Sequence, residues 1–146
     1  SIIELSNCDY LPFNWLASTK EFREVLNNYQ KKAGGYFDLT PAIDALDFFE
    51  VKLSEFYNTI KQKSADTDKA NSIIKKLARI LIPLNYARNP RFTHDPALPI
   101  PQIPVLSLCE EFNEIPEKDH GFVKNQLVRA QNRVVDALDQ ASVLLE

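Results

Sequence analysis

Residues 77–104 read LARILIPLNYARNPRFTHDPALPIPQIP, an apolar helical run that meets a segment dense in proline. Six of the nine prolines fall here, at Pro83, Pro90, Pro96, Pro99, Pro101 and Pro104. Proline lacks the backbone donor that a helix interior or a central strand needs, so neither element can run through the stretch. The reading is a helix stopped at Pro83 followed by an extended loop of about twenty residues, a length that in a compact domain is either functional or disordered. Ile82, Leu84, Tyr86, Phe92, Leu98, Ile100, Ile103 and Val105 are too apolar to be left in water. Residues 83–104 are therefore read as an ordered strap laid across helices.

Upstream, Ile73, Ile74, Leu77, Ile80 and Leu81 recur at helical spacing and feed the strap. Before them, Thr40-Pro41 offers a threonine cap with a proline at the first helical position. The helix it opens has Ile43, Leu46, Phe49, Leu53, Phe56 and Ile60 on one face, widened by Phe48, Val51 and Tyr57, so more than one neighbour is expected. Ser18 and Glu21 match a capping box and predict another helix start at Ser18. Its inward face is Phe22, Val25, Leu26 and Tyr29; Lys31 and Lys32 suit the negative end of the helix dipole, and Gly34-Gly35 supply a left-handed stop. Residues 1–12 carry Ile2, Leu5 and Cys8 at helical spacing and a stop at Pro12, and read as the end of an incoming junction helix. The apolar opening at Ser1, without an initiator Met, is what a fragment of a longer protein looks like.

Downstream, residues 105–112 can make two short helical turns. Residues 119–145 contain no proline and place Val123, Leu127, Ala130, Val134, Leu138, Ala141 and Leu145 at steps of four and three, a long amphipathic helix. Lys124, Arg129, Arg133, Asp136 and Asp139 mark its solvated face. Small residues at Ala130, Ala137 and Ala141 let a neighbouring helix come close. Phe49, Phe56, Leu77, Leu81, Leu127 and Val134 are the expected core. The fold class expected for residues 1–146 is all-α: one domain, an up-and-down four-helix bundle with a long proline-rich crossing loop.

Composition agrees and excludes several functions. A chain of 146 residues buries enough surface to fold without disulfide or metal support. Three glycines, no Met and 45% hydrophobic residues suit long helices better than a turn-rich sheet. Net charge is −3 with Lys and Arg scattered, so neither a nucleic-acid face nor a polybasic membrane patch is expected. No apolar run reaches the length of a membrane span, and the fragment reads as soluble. Cys8 and Cys109 fit no metal spacing, and the sequence leaves open whether they are two thiols or one bridge.

Catalytic, cofactor and metal signals are weak. His94-Asp95 could be a catalytic or metal pair, but adjacent residues rarely face each other, and His120 is the only other histidine. The structural reading has His94 pinning the strap and His120 at the surface of a helix start. Glu110, Glu111, Glu114 and Glu117 lack the alternating ligand pattern and central glycine of a calcium loop. No nucleophile elbow or phosphate loop is visible, so no enzymatic activity is expected of the fragment alone.

Three stretches carry a family resemblance. Glu4-Leu-Ser-Asn7 with Leu11-Pro12-Phe13 is similar to a junction written E-L-A-N…L-P-F; Pro90-Arg-Phe92-Thr-His94 is similar to an aromatic and histidine turn; Phe122-Val-Lys-Asn-Gln126 through Leu144 is similar to a last helix opening V-K-x-Q. Together they resemble the C-terminal helical dimerisation domain of the transferrin receptor and glutamate carboxypeptidase II (M28 peptidase-like) family. The pattern PLNYARxPRFxHDPA over residues 83–97 looks closest to fungal members.

The resemblance implies a non-catalytic homodimerisation domain, partnered by a second copy and by the peptidase-like domain of its parent chain. It also implies a parent with one membrane span and this domain on the extracellular or lumenal side. Zinc would belong only to the absent peptidase-like domain. The alternative it implies is a part of a zinc carboxypeptidase that completes the substrate site through the 83–104 loop, near His94. In the carboxypeptidases that loop carries a Lys-Tyr pair holding the substrate's glutamate-like end; between Phe92 and Phe112 this chain has no Lys, Tyr or Gly. Candidate interface residues are Tyr86, Phe92, His94, Ala130, Ala137 and Ala141, with Trp15 as a further aromatic anchor.

Overall fold

The computed structural model describes residues 9–62, 66–89 and 99–146. Apolar periodicity near 3.6 residues yields four long helices: α1 (Trp15–Ala33), α2 (Thr40–Lys61), α3 (Thr67–Tyr86) and α5 (His120–Val143), with a single-turn α4 (Leu108–Glu111) before the last. Short 3-10 turns at Pro104–Leu106, Phe112–Glu114 and Glu117–Asp119 flank α4, and the described residues contain no strand. The two helical turns expected over 105–112 are the first of these turns and α4. Of the predicted junction helix, residues 1–8 lie outside the described residues, and residues 9–12 are bend and coil.

Three helix boundaries differ from the sequence reading. α1 begins at Trp15, not Ser18, because Asn14 caps it first: its side-chain oxygen accepts the Ala17 N–H at 3.3 Å. At α2 the Thr40 side chain does not cap. Its N–H and hydroxyl instead donate to the Asp38 carboxylate at 2.9 and 2.6 Å, and these bonds hold the Asp38 carboxyl below its usual pKa. α3 runs one turn past Pro83 to Tyr86. Pro83 lies on the exposed face, so the Arg79 carbonyl it leaves without a donor lies on the solvent side, and the helix closes with Ala87 N–H on the Pro83 carbonyl at 2.8 Å. At its start, Asp66 accepts the Lys69 N–H at 2.9 Å.

Cross-helix polar contacts fix the directions. Thr19 and Arg23 of α1 meet Glu50 of α2, while the Tyr57 hydroxyl donates to the Phe13 carbonyl and accepts from Trp15 N–H, so α1 and α2 are antiparallel. Gln131 of α5 donates to the Asp38 carbonyl at 2.8 Å, and Lys52 lies 3.7 Å from Glu146, so α5 runs parallel to α2. The start of α3 is held beside the start of α1, where Asn71 accepts Leu11 N–H and donates to the Asp9 carbonyl. Its end lies beside Arg133 of α5. Helix directions thus alternate along the chain, and α4 with its flanking turns packs on α1 and α5.

One core joins all four long helices. Phe22, Leu26, Tyr29, Leu46, Phe49, Leu53, Ile74, Leu77, Leu81, Leu127, Val134 and Leu138 are buried, with Ile103, Leu106, Cys109 and Phe112 filling it from the strap's return. Phe56, Ile43, Ile60, Ile73, Ile80 and Leu145 pack partly buried at its margin. Phe48 and Val51 do not widen the inner face of α2; both stay exposed, and Lys52 Nζ sits 5.7 Å over the Phe48 ring. Buried Ser142 tolerates its site by donating to the Leu138 carbonyl at 2.9 Å.

α1 closes with the Gly34 N–H on the Gln30 carbonyl at 3.0 Å, and Gly34, at φ +57° and ψ −135°, then turns the chain out of the helix. The Gln30 side chain then brackets the turn, donating to the Gly34 and Phe37 carbonyls and accepting from Leu39 N–H. An added Cβ at Gly34 or Gly35 meets no atom within 4 Å, so only the positive φ of Gly34 separates the two sites. Gly34→Ala is expected to lower stability by about 1 kcal/mol or more, and Gly35→Ala to leave it within about 0.5 kcal/mol, in paired urea-unfolding curves.

Candidate interaction surface

The prolines of the strap remove donors, and the helices supply what its return segment lacks. The buried Tyr29 hydroxyl of α1 donates to the Gln102 carbonyl at 2.7 Å. The next residue, Ile103, gives its N–H to the Asn85 carbonyl near the end of α3 at 3.3 Å. Ile103 is fully buried with φ +47° and ψ +58°, a left-handed conformation that a β-branched residue adopts only when its surroundings impose it. Full burial of its side chain in the core offsets that strain. The outgoing end is tied as well, with Arg133 Nη1 on the Arg88 carbonyl at 3.4 Å. Among the described residues, Trp15 Nε1 and Asn85 Oδ1 are buried with no hydrogen-bond partner.

Beyond Ile103 the chain enters an aromatic corner. The Phe112 ring stacks on Tyr36 at 5.2 Å and lies 4.7 Å from His120, which is half-buried with Nε2 2.8 Å from the Ile115 carbonyl. His120 is thus a packed corner residue, where the sequence reading placed it at the surface. Cys109 is a buried free thiol whose pKa burial pushes up to about 12, with the Glu110 charge adding to the shift. Cys8 lies outside the described residues.

The predicted interface residues separate into three groups. Tyr86 is 61% exposed at the end of α3 and is open to a partner. Phe92 and His94 lie outside the described residues. Ala130 and Ala141 are buried in the chain's own core, and Ala137 is half-buried, because the helix their small side chains admit belongs to the same chain; Ala130 and Ala141 present nothing to a second molecule. Trp15 is likewise buried, stacked on Phe13 at 5.8 Å.

The exposed face of α3 carries apolar and charged groups together, as does that of α5, where Phe122, Val128 and Val143 are exposed. Lys75, Arg79, Ile82 and Tyr86 follow one another at steps of four, three and four and share a stripe, with Lys76 beside it. Ile82 is 49% exposed. Among the described residues none of these cations has an ion-pair partner. On α2, beside Phe48 and Val51, Arg23 bridges Asp47 and Glu50, and hydrogen bonds to Glu50 and Asp47 raise its pKa, while Asp44 and Glu55 stand exposed. A second feature lies between α1 and the strap's return, an open groove of ≈360 Å³ that includes Val25, Tyr29 and Pro101 and is flanked by Glu21, Glu24 and Glu110. No group of residues that could hold a metal ion occurs among the described residues.

No protein-family model, curated protein or solved structure matches this chain. The surface itself therefore carries the functional reading. Its missed half, the groove, had no sequence signal beyond the glutamates on α1, because Tyr29 and Pro101 lie far apart in the chain and meet only through the strap's return.

Burial raises the pKa of the Tyr29 and Tyr57 phenols and of the Cys109 thiol, the Glu110 charge adding to Tyr29 and Cys109. In the unfolded chain these groups lose their protons at about pH 8.5–10. The folded state holds them longer, so this contribution to stability is complete below about pH 8 and declines as pH rises beyond it. Tyr29→Phe should cost about 1–2 kcal/mol near neutral pH, by leaving the Gln102 carbonyl without its donor, and should flatten the decline in the alkaline range. Urea unfolding at a series of pH values from about 6 to about 11, spanning the unfolded-state pKa values, checks both.

Proposed function

We propose that this chain is a non-catalytic homodimerisation module, the helical domain of a transferrin receptor-like or glutamate carboxypeptidase-like protein. The observation that carries the reading is the outer face of α3. A helix whose inner face is engaged in the core keeps Ile82 49% and Tyr86 61% exposed beside cations that have no ion-pair partner among the described residues, and such a surface suits a macromolecular partner. Helices alternating in direction, with a long proline-rich connection between α3 and α5, are the architecture that the resemblance calls for, an up-and-down bundle with one crossing loop. In this reading the strap shapes the surface and performs no chemistry. Dimerisation through residues of one domain leaves metal chemistry to the parent's other parts.

No helix of the described residues is long and apolar enough to cross a membrane, so in this reading any membrane anchor belongs to the parent chain. The reading predicts self-association without added ligand. Light scattering over a hundredfold range of concentration should give twice the 16.7 kDa chain mass at the upper end. A mass of one chain throughout the range would remove homodimerisation as the function of this domain.

A further inference from the structure

We infer that two copies pair by exchange, the α3 stripe of each docking on the α1–strap groove of the other. The inference rests on the homodimer reading and says which surfaces make contact. Its ground is charge complementarity between two places on the same chain. The stripe offers Lys75, Arg79, Ile82 and Tyr86, with Lys76 alongside, and no carboxylate of the described residues neutralises these cations. The groove offers three exposed carboxylates, Glu21, Glu24 and Glu110, none of them paired with a cation among the described residues, beside Val25 and Pro101.

Each surface lacks what the other holds. Tyr86, the more exposed of the two apolar residues, is an amphipathic anchor of the kind that fills a partially apolar groove with its hydroxyl at the rim. The flanking charges add little affinity individually but set the partner and the register, and they repel the wrong pairings of stripe on stripe and groove on groove. The groove wall at Gln102 adjoins the Tyr86 end of α3, since Ile103 N–H bonds the Asn85 carbonyl, so two copies related by a two-fold axis can exchange stripe for groove and satisfy both sites at once. The strap matters here because Pro101 and Gln102 form one wall of the groove, and the Tyr29 hydroxyl holds that wall in place.

The test exchanges the charges. One variant carries Lys75→Glu with Arg79→Glu, the other Glu21→Lys with Glu24→Lys; all four positions are exposed, and circular dichroism checks that each variant folds. Sedimentation velocity of each variant alone should show the dimer dissociation constant raised on the order of tenfold or more. An equimolar mixture should recover dimer, because the reversed stripe then meets the reversed groove while the two unaltered surfaces meet each other. Tyr86→Ser should weaken the wild-type dimer at every salt concentration. A wild-type dimer whose affinity neither double variant changes would overturn this interface while leaving homodimerisation standing. A mixture that stays monomeric beside a dimeric wild type would overturn it too. A wild type that is monomeric throughout would remove both.

Discussion

A segment with proline at every second or third position cannot pair its own backbone, and the structure depends on how the helices answer that deficit. Tyr29 supplies a hydroxyl to the Gln102 carbonyl, and the end of α3 supplies the Asn85 carbonyl to Ile103 N–H. These two bonds come from different helices and meet consecutive residues. They set the point at which the strap re-enters the core, and Ile103 accepts a left-handed backbone there in return for complete burial. From that point Leu106, Cys109 and Phe112 follow into the core in sequence, and α5 is launched from the aromatic corner of Tyr36, Phe112 and His120.

Because the strap returns to the α1 side, α5 descends beside α2 and parallel to it. A short connection after α3 would favour packing on α3 alone. The long connection instead lets α5 contact both α2 and α3, with Gln131 reaching the Asp38 carbonyl at the start of α2. That placement engages the small-residue face of α5 internally and leaves the outer face of α3 exposed, its cations without an ion pair among the described residues. The architecture and the functional proposal share one cause, the route taken by residues 99–112.

Much of this was legible in the sequence, and the failures have local reasons. Steps of three and four located all four long helices and most of the core, since burial of one face repeats within a helix whatever the partner. Asn14 pre-empted the capping box at Ser18 because two good caps lay one turn apart and the nearer apolar residue, Trp15, gained burial by joining the helix. Pro83 failed as a stop because its missing donor faces solvent. Small residues at Ala130 and Ala141 announced a close helix but not whose helix it was. The polar brackets at Gln30, Tyr57, Asn71 and Gln131 could not be read at all, because side chains of ordinary polar type join backbone up to 93 residues away. The exposure of Ile82 and Tyr86 ran against the reading that both are too apolar for water: because α3 continues past Pro83, both sit on its outer side, away from the face of Ile74, Leu77 and Leu81.

The central claim is that the strap's return is a fixed part of the folded core, and amide hydrogen exchange at Ile103 tests it most directly. Its N–H is bonded to the Asn85 carbonyl and its residue is fully buried, as are Leu46 and Leu53 of α2. The Ile103 amide should therefore exchange as slowly as those of the two leucines, through the same global opening of the core. An Ile103 amide that exchanges at the rate of an exposed loop while Leu46 and Leu53 stay protected would contradict the account.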